Sequence, residues 1–527
     1  MKRMTGVYAL ILLLLAPLAQ AELKVSTVFS DHMVLQQEMP IRVWGWAKPG
    51  AKVEVSLAKG KDAIGDSAAA GKDGKWMVEL SPLKADGNPL TMSIKGDGGS
   101  VEFKNILMGE VWICSGQSNM EWSVARCANP QEEVKNANHP TIRLFNVPQH
   151  IKQNTPQKDA QPAKWQVCSP QTVGNFSACG YYFGRALSKE LGVPIGLVGT
   201  NWGGTRIEPW TPPVGFEQVP KLKHIGDAIA KLDPTTEEGQ FEREIYLRRV
   251  SDWLAKSARQ LEEGKEIGSA PQMSLNPPGG ATQIYNGMVA GLTPLSARGV
   301  IWYQGESNAG DGLRYDHLKE ALVKGWRETF QNDDLSFYWV GLAGFGRGHT
   351  NQPGGGGWGP VREGQRRALR LPNTGMAVTT DIGHPSDIHP KNKQDIGARL
   401  ALWALAKNYG KEVTYSGPMY KSHEVKGNTI VVQFDHVGSG LTVGTKGGSH
   451  LMDPVKFADS KALEAFSLRD EAGKWHWAKA TIDGDTVVLT SDKVAKPTAV
   501  RYAYDSLPKV NFYNKEGLPA VPFTTVD

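Results

Sequence analysis

At 527 residues the chain is long enough for two to four domains, and 40% hydrophobic with 21% charged residues is an ordinary globular composition. A formal net charge of +5 without any dense Lys/Arg run argues against nucleic acid as a partner. Fifty-nine glycines, 32 prolines and 16 tryptophans favour a loop-rich, partly β protein over a helical one.

The first residues read as a targeting segment. Lys2 and Arg3 give a positive start, Val7 to Ala19 is apolar but too short to span a bilayer, and Ala19-Gln20-Ala21 is a small-residue cleavage pattern. A signal peptide over 1–21 is expected, followed by an exported chain, periplasmic or secreted, with no membrane attachment after cleavage. Residues 22–105 read as a β domain, because Ile41, Val43, Val53, Val55 and Leu57 alternate with other residues and Pro49-Gly50 marks a turn.

Residues 106–410 change character. Short apolar runs (Val111 to Cys114, Ile195 to Val198, Val300 to Tyr303, Phe337 to Leu342, Met376 to Thr379) alternate with helical stripes. One stripe is Phe183, Leu187 and Leu191, closed by Gly192. A second is Tyr315, Leu318, Leu322 and Trp326. A third is Ile396, Leu400 and Trp403, with Gly410 beyond. Strands separated by helices predict a parallel sheet covered on both faces, with ligands outside the carboxyl ends of its strands. Residues 212–280 read as a helical insertion, with Phe241, Ile245, Trp253, Leu254 and Leu261 as its apolar positions. From 411 to 527 the pattern returns to β.

Four cysteines, Cys114, Cys127, Cys168 and Cys179, allow one or two bridges in an oxidising compartment. Cys114 and Cys179 read as small core residues, which makes Cys127–Cys168 the expected pair if one forms. No CxxC occurs, and neither a metal nor another cofactor is expected.

The chemistry gathers at the ends of the predicted strands. Gly116-Gln117-Ser118-Asn119 follows the first apolar run, NWGGT (Asn201 to Thr205) the second and WYQGESN (Trp302 to Asn308) the third. The loop DIGHPSDIHP (Asp381 to Pro390) follows a later one. A serine hydroxyl needs a base within hydrogen-bond reach, and its tetrahedral intermediate needs donors aimed at the oxyanion. Ser118 supplies the nucleophile and an N–H. Gly203 or Gly204 supplies a second N–H, Gln304 or Asn308 a side-chain amide, and His389 the base. Pro390 fits the first turn of a helix, which would set His389 at a loop-to-helix junction. The motif is not the G-x-S-x-G elbow, because Met120 stands where that motif has glycine.

Taken together, GEVWICSGQSNMEW, GTNWGGTRIEPW, YNGMVAGLTPL with GVIWYQGESNA, and DIHPKNKQDIGARLAL resemble the sialate O-acetylesterase-like carbohydrate esterases of the SGNH hydrolase superfamily. VFSDHMVLQQ and NFYNKEGLPAVPF extend the resemblance over nearly the whole mature chain. It implies an α/β fold: a three-layer SGNH-type parallel-sheet hydrolase domain with accessory N- and C-terminal β-sandwich-like regions. It also implies metal-independent removal of O-acetyl groups from sugars, with Ser118 as nucleophile, His389 as base, and oxyanion donors from Ser118, Gly203-Gly204 and Gln304 or Asn308. The superfamily spacing D-x-x-H is absent at His389, since residue 386 is Ser. Asp387 with His389 and Asp381 with His384 therefore compete as the acid–base pair, Asp387 being the first choice of acid.

Arg206 could grip a sugar carboxylate, or be ion-paired. Trp122, Trp202, Trp210 and Trp358 could stack on sugars, or fill the core. Glu306 reads as a brace for its loop. An acetylated carbohydrate is the expected partner, as sialic acid esters or as acetylated xyloglucan or xylan. The rival readings are a non-catalytic glycan-binding protein and a lipase or peptidase. Oligomeric state stays open.

Overall fold

The computed structural model describes residues 23–96, 98–273, 276–348, 353–447 and 453–526; the expected signal peptide over 1–21 lies outside them. The fold is mixed α/β with several sheets. Its spine is one long strand, β1 (Gly99–Gly116). The first part of β1 pairs antiparallel with Leu90–Gly96, inside the N-terminal β region. At Asn105 the backbone takes φ 54 and the pairing register slips. Beyond that bulge the strand runs parallel to Val34–Gln36 and then into the central sheet. The boundary expected at 105/106 thus falls on a bulge within a continuous strand, not on a linker.

The other central strands are β2 (His139–Asn146), β3 (Gln166–Cys168), β4 (Ile195–Asn201), β5 (Gly299–Tyr303), β6 (Ser336–Val340) and β7 (Thr374–Ala377). They lie in the order β3-β2-β4-β1-β5-β6-β7. All neighbours are parallel except the edge strand β3. Val111 to Cys114, Leu197, Val198 and Val300 to Tyr303 are fully buried, which is why these strands read as unbroken apolar runs rather than alternating ones. Register aligns the strand ends: Gly116 stands opposite Asn201 on one side and Tyr303 on the other. The three loops that follow therefore open at the same edge.

The helices used below are α1 (Ser118–Glu121), α2 (Ala178–Leu191), α3 (Glu237–Glu262), α4 (Tyr315–Phe330), α5 (Gly359–Arg367) and α6 (Lys393–Lys407), of which α3 stands largely exposed. The Ser177 side chain caps α2, and Gly192 ends it with φ 68. Gly397 of α6 sits against Tyr182 of α2. On another part of the molecule Gly325 of α4 sits against Gly215 of the short helix Pro213–Glu217, and Gly364 of α5 sits against Tyr315. α6 starts at Lys393, so Pro390 is not its first-turn residue. The Asn392 side chain accepts the Asp395 N–H at 3.0 Å and is the better cap.

Residues 419–426, 429–435, 462–463, 479–483 and 486–490 form a five-stranded sheet, and the C-terminal region holds a hydrophobic core of its own. Among the described residues, no helix is long and apolar enough to cross a membrane.

Candidate active site

β1 ends in glycine because nothing larger fits. Gly116 has φ 139, and a Cβ there would lie 2.2 Å from the Tyr303 carbonyl oxygen. The next amide, Gln117 N–H, donates to that same oxygen at 2.9 Å. The chain then turns into α1, with Ser118 in its first helical position. The Ser118 N–H therefore has no helical acceptor four residues back.

His389 reaches the serine from the loop after β7: its Nε2 lies 2.9 Å from Ser118 Oγ. The imidazole stacks on Trp122 with centroids 4.8 Å apart and planes 17° apart, and the Arg126 guanidinium lies 3.8 Å from the Trp122 ring centre. Trp122 is thus a partner of the His389 ring. Asp387 Oδ1 stands 3.9 Å from His389 Nδ1, beyond hydrogen-bond range, and accepts the His389 backbone N–H at 2.9 Å instead. Burial, followed by the nearby Lys393 ammonium, holds the imidazole below the ordinary histidine value of 6.5, with Asp387 pulling the other way.

The competing pair is committed elsewhere. Asp381 receives Arg399 bidentately, both bonds 2.7 Å. His384 Nδ1 accepts the backbone N–H groups of Ser386 and Asp387 at 3.2 and 3.0 Å, so it shapes the loop that presents His389. Among the described residues, no group of three or more His, Cys, Asp or Glu comes together as a metal site.

Gly203 packs closely on Ser118 and Glu121: a Cβ there would be 2.9 Å from Glu121 Oε2 and 3.3 Å from the Ser118 Cβ. Its N–H donates to the Glu121 carboxylate. Gly204 makes the turn beyond, with φ 71.

Two expected oxyanion donors are corrected. Gln304 Nε2 donates to Thr205 O at 3.1 Å and Asn308 Oδ1 at 2.7 Å, while Tyr315 OH donates to Gln304 Oε1. Asn308 Nδ2 donates to Glu208 at 3.0 Å and Asp311 at 2.9 Å, and Asn308 Oδ1 accepts the Ile207 N–H. Both amides are buried in a network that ties the third loop to the second. Neither has a donor left for an oxyanion.

Arg206 is likewise engaged, with Glu208 at 2.7 Å, Asp311 at 2.6 Å and Ser307 O at 3.1 Å, so the ion-paired reading holds. Trp202 is half-buried at the rim, its ring 5.0 Å from His150 and 5.2 Å from Lys152 Nζ. Trp210 is fully buried. Trp358 stacks on Phe345.

Sequence reasoning missed Asn119, Lys393 and Glu121. Asn119 Nδ2 donates to Glu306 Oε1 at 2.6 Å and to Ile388 O at 3.1 Å, while Lys393 Nζ donates to Asn119 Oδ1 at 2.5 Å. One amide thus ties the serine's helix to the third loop and to the residue before His389. Burial lowers the Lys393 ammonium to about 8 and raises the Glu306 carboxyl. Glu306 is the expected brace. The motif blocks contained all three missed residues, but a side chain bonded to a buried neighbour leaves no mark in periodicity or spacing.

The cysteine expectation is corrected as well. All four are free and buried, and Cys127 Sγ lies 2.8 Å from Tyr182 OH rather than against Cys168.

Comparison with known proteins gives the family and several relatives. The family model described as carbohydrate esterase, sialic acid-specific acetylesterase, matches residues 108–238 and 268–406. A mouse protein named sialate O-acetylesterase is 28% identical over 562 residues, covering 98% of this chain and 97% of its own. The human protein of that name is 28% identical, covering 94% and 91%. The crystal structure of a carbohydrate acetylesterase from Xanthomonas citri is 33% identical with TM-score 0.76, covering 95% of this chain and 99% of its own.

Proposed function

The chain belongs to the carbohydrate esterase family of sialic acid-specific acetylesterases and is a carbohydrate O-acetylesterase, and we propose that it works through an acetyl-enzyme on Ser118. His389 Nε2 takes the Ser118 Oγ proton as Oγ attacks the acetyl carbonyl, and returns it to the departing sugar oxygen. Water, deprotonated by the same nitrogen, then releases acetate. The Ser118 and Gly203 N–H groups receive the oxyanion. Glu121, which now accepts the Gly203 N–H, marks where that negative charge would sit and must yield the donor to substrate. The single observation that carries the reading is the 2.9 Å Ser118–His389 contact at the carboxyl edge of a parallel sheet.

Ser118→Ala should cut turnover of p-nitrophenyl acetate by roughly 10³-fold or more, the residue of activity coming from the donors alone. A variant retaining a tenth of wild-type kcat would reject the nucleophile.

We read the sheet with its two helix groups as the SGNH-type three-layer arrangement. The curated relatives support O-acetylated sialic acid as substrate. A neutral acetylated polysaccharide is the second reading, favoured by the pairing of Arg206 with two carboxylates, which removes the cation expected to grip a sugar acid. Acetate release from O-acetylated sialosides against acetylated xylan and xyloglucan separates the two. The export reading rests on residues 1–21 and is tested by N-terminal sequencing of the protein recovered from a periplasmic fraction.

A further inference from the structure

α3 is 26 residues long, yet only Gly239 and Ser257 in it are buried. Its root is fixed: Thr236 Oγ1 caps it by accepting the Gly239 N–H at 3.0 Å, and Arg243 donates back to Gly239 O and Leu232 O at 2.9 Å each. The chain returning from its far end is tied to one edge, where the Trp253 indole N–H donates to Gly268 O at 2.8 Å. Another edge stays open to water. There Leu247, Leu254 and Leu261 are 64, 56 and 68% exposed.

Single exposed leucines need no explanation. These three recur every seven residues, the spacing of a helix–helix seam rather than of the broader stripe that packs on a globular core. Ser251 and Ala258 stand between them, and all five positions are exposed, whereas Ser257 is buried within the chain and Val250 half-buried. None of the five is charged, and Arg248, Arg249, Asp252, Lys256 and Arg259 occupy other faces of the same stretch. Leu247 and Leu261 lie seven residues to either side of Leu254, so the leucines are self-complementary about a two-fold axis. Antiparallel copies crossing at Leu254 set leucine on leucine, with small residues between them that let the backbones approach. This stretch also lies between the two segments that the family model matches, 108–238 and 268–406.

We propose that α3 is a dimerisation arm whose Leu247–Leu261 face pairs antiparallel with the same face of a second copy of this chain. The seam is about 21 Å long at 1.5 Å per residue. An interface of that length falls at or below the ~1,200 Å² typical of stable complexes, so the dimer should dissociate in the micromolar range.

Sedimentation velocity on the full chain, from about 1 to 100 μM, should show monomer passing to dimer. Leu254→Glu, which sets two carboxylates on the axis, should stay monomeric over the same range with p-nitrophenyl acetate turnover unchanged. Arg249→Glu, on the charged side, should dimerise like the wild type. Leu254→Cys should give a disulfide-linked dimer under mild oxidation, because only the axial residue meets its own copy and the four native cysteines are buried. A wild-type chain that stays monomeric at 100 μM with no cross-link from Leu254→Cys would overturn the proposal. So would a dimer that survives Leu254→Glu, or a monomer that instead loses retention by an acetylated polysaccharide gel when Leu254 is changed.

Discussion

At the scale of single residues, the His389 imidazole, the proposed base, is held by a ring rather than by a carboxylate. In a serine triad whose acid bonds to Nδ1, removing that charge costs roughly 10⁴-fold in kcat. Asp387 stands 3.9 Å from Nδ1 and bonds the backbone of His389, while Trp122 lies flat against the imidazole. Asp387→Asn should therefore cost no more than about tenfold in kcat. A loss of a thousandfold would mean that the carboxylate closes on Nδ1 during turnover. The direction of the histidine shift sets a pH signature. Burial keeps the His389 value below 6.5, so the imidazole stays neutral, and basic, into mildly acid solution. The acid limb of the kcat/KM profile should have its midpoint below pH 6.5, and a midpoint above it would contradict the buried, Trp122-stacked geometry. That Ser118, Gly203 and His389 meet was legible in the sequence because the proposed nucleophile, close approach and base each demand one residue type. The fates of Gln304, Asn308 and Arg206 were not, because an amide or guanidinium chooses among neighbours that only the fold brings together.

Among elements, the sheet register decides the site. The strands were readable from their apolar runs, and α2 from its Phe183, Leu187 and Leu191 stripe and closing Gly192. The start of α6 was misread because a proline can open a helix, whereas the Asn392 cap two residues on does so here. The bend at the end of β1 carries the register to the serine. Gly116→Ala would push a methyl group to within 2.2 Å of the Tyr303 oxygen at a φ that side chains rarely adopt. It should cost at least about 2 kcal/mol in urea unfolding, with activity lost in the folded fraction, since the neighbouring backbone cannot retreat without breaking the β1–β5 ladder. Unchanged stability would show that the turn can relax.

Over the whole molecule, the C-terminal region is welded to the hydrolase region rather than appended to it. Arg362 of α5 is 3% exposed and donates to the carbonyls of Leu342 and Ala343 on one side and of Asp505 and Ser506 on the other. Lys446 pairs with Asp395 of α6. Arg362→Met would remove the guanidinium from four carbonyls, of which Ser506 O keeps the Phe345 N–H, and should destabilise the chain by roughly 3 kcal/mol, read as a drop of several degrees in Tm. A melt that splits in two, with the esterase transition unmoved, would show instead that the regions unfold independently. Composition and periodicity showed that the last hundred residues are β, but not that their loops buttress the site, since these contacts join positions from 51 to 144 residues apart.

Those buttresses fall on the strip of chain that presents the base. Ser506 O accepts the Phe345 N–H at 3.0 Å, Gly344 O accepts the His384 N–H at 2.9 Å, and Tyr513 OH reaches Asp381 at 3.4 Å. Synthesis delivers the serine early and these supports almost last. A chain clipped before Ser506 lacks the contacts made to Phe345 and Asp381, so it should keep Ser118 in place while the strip of chain leading to His389 loses its outer support.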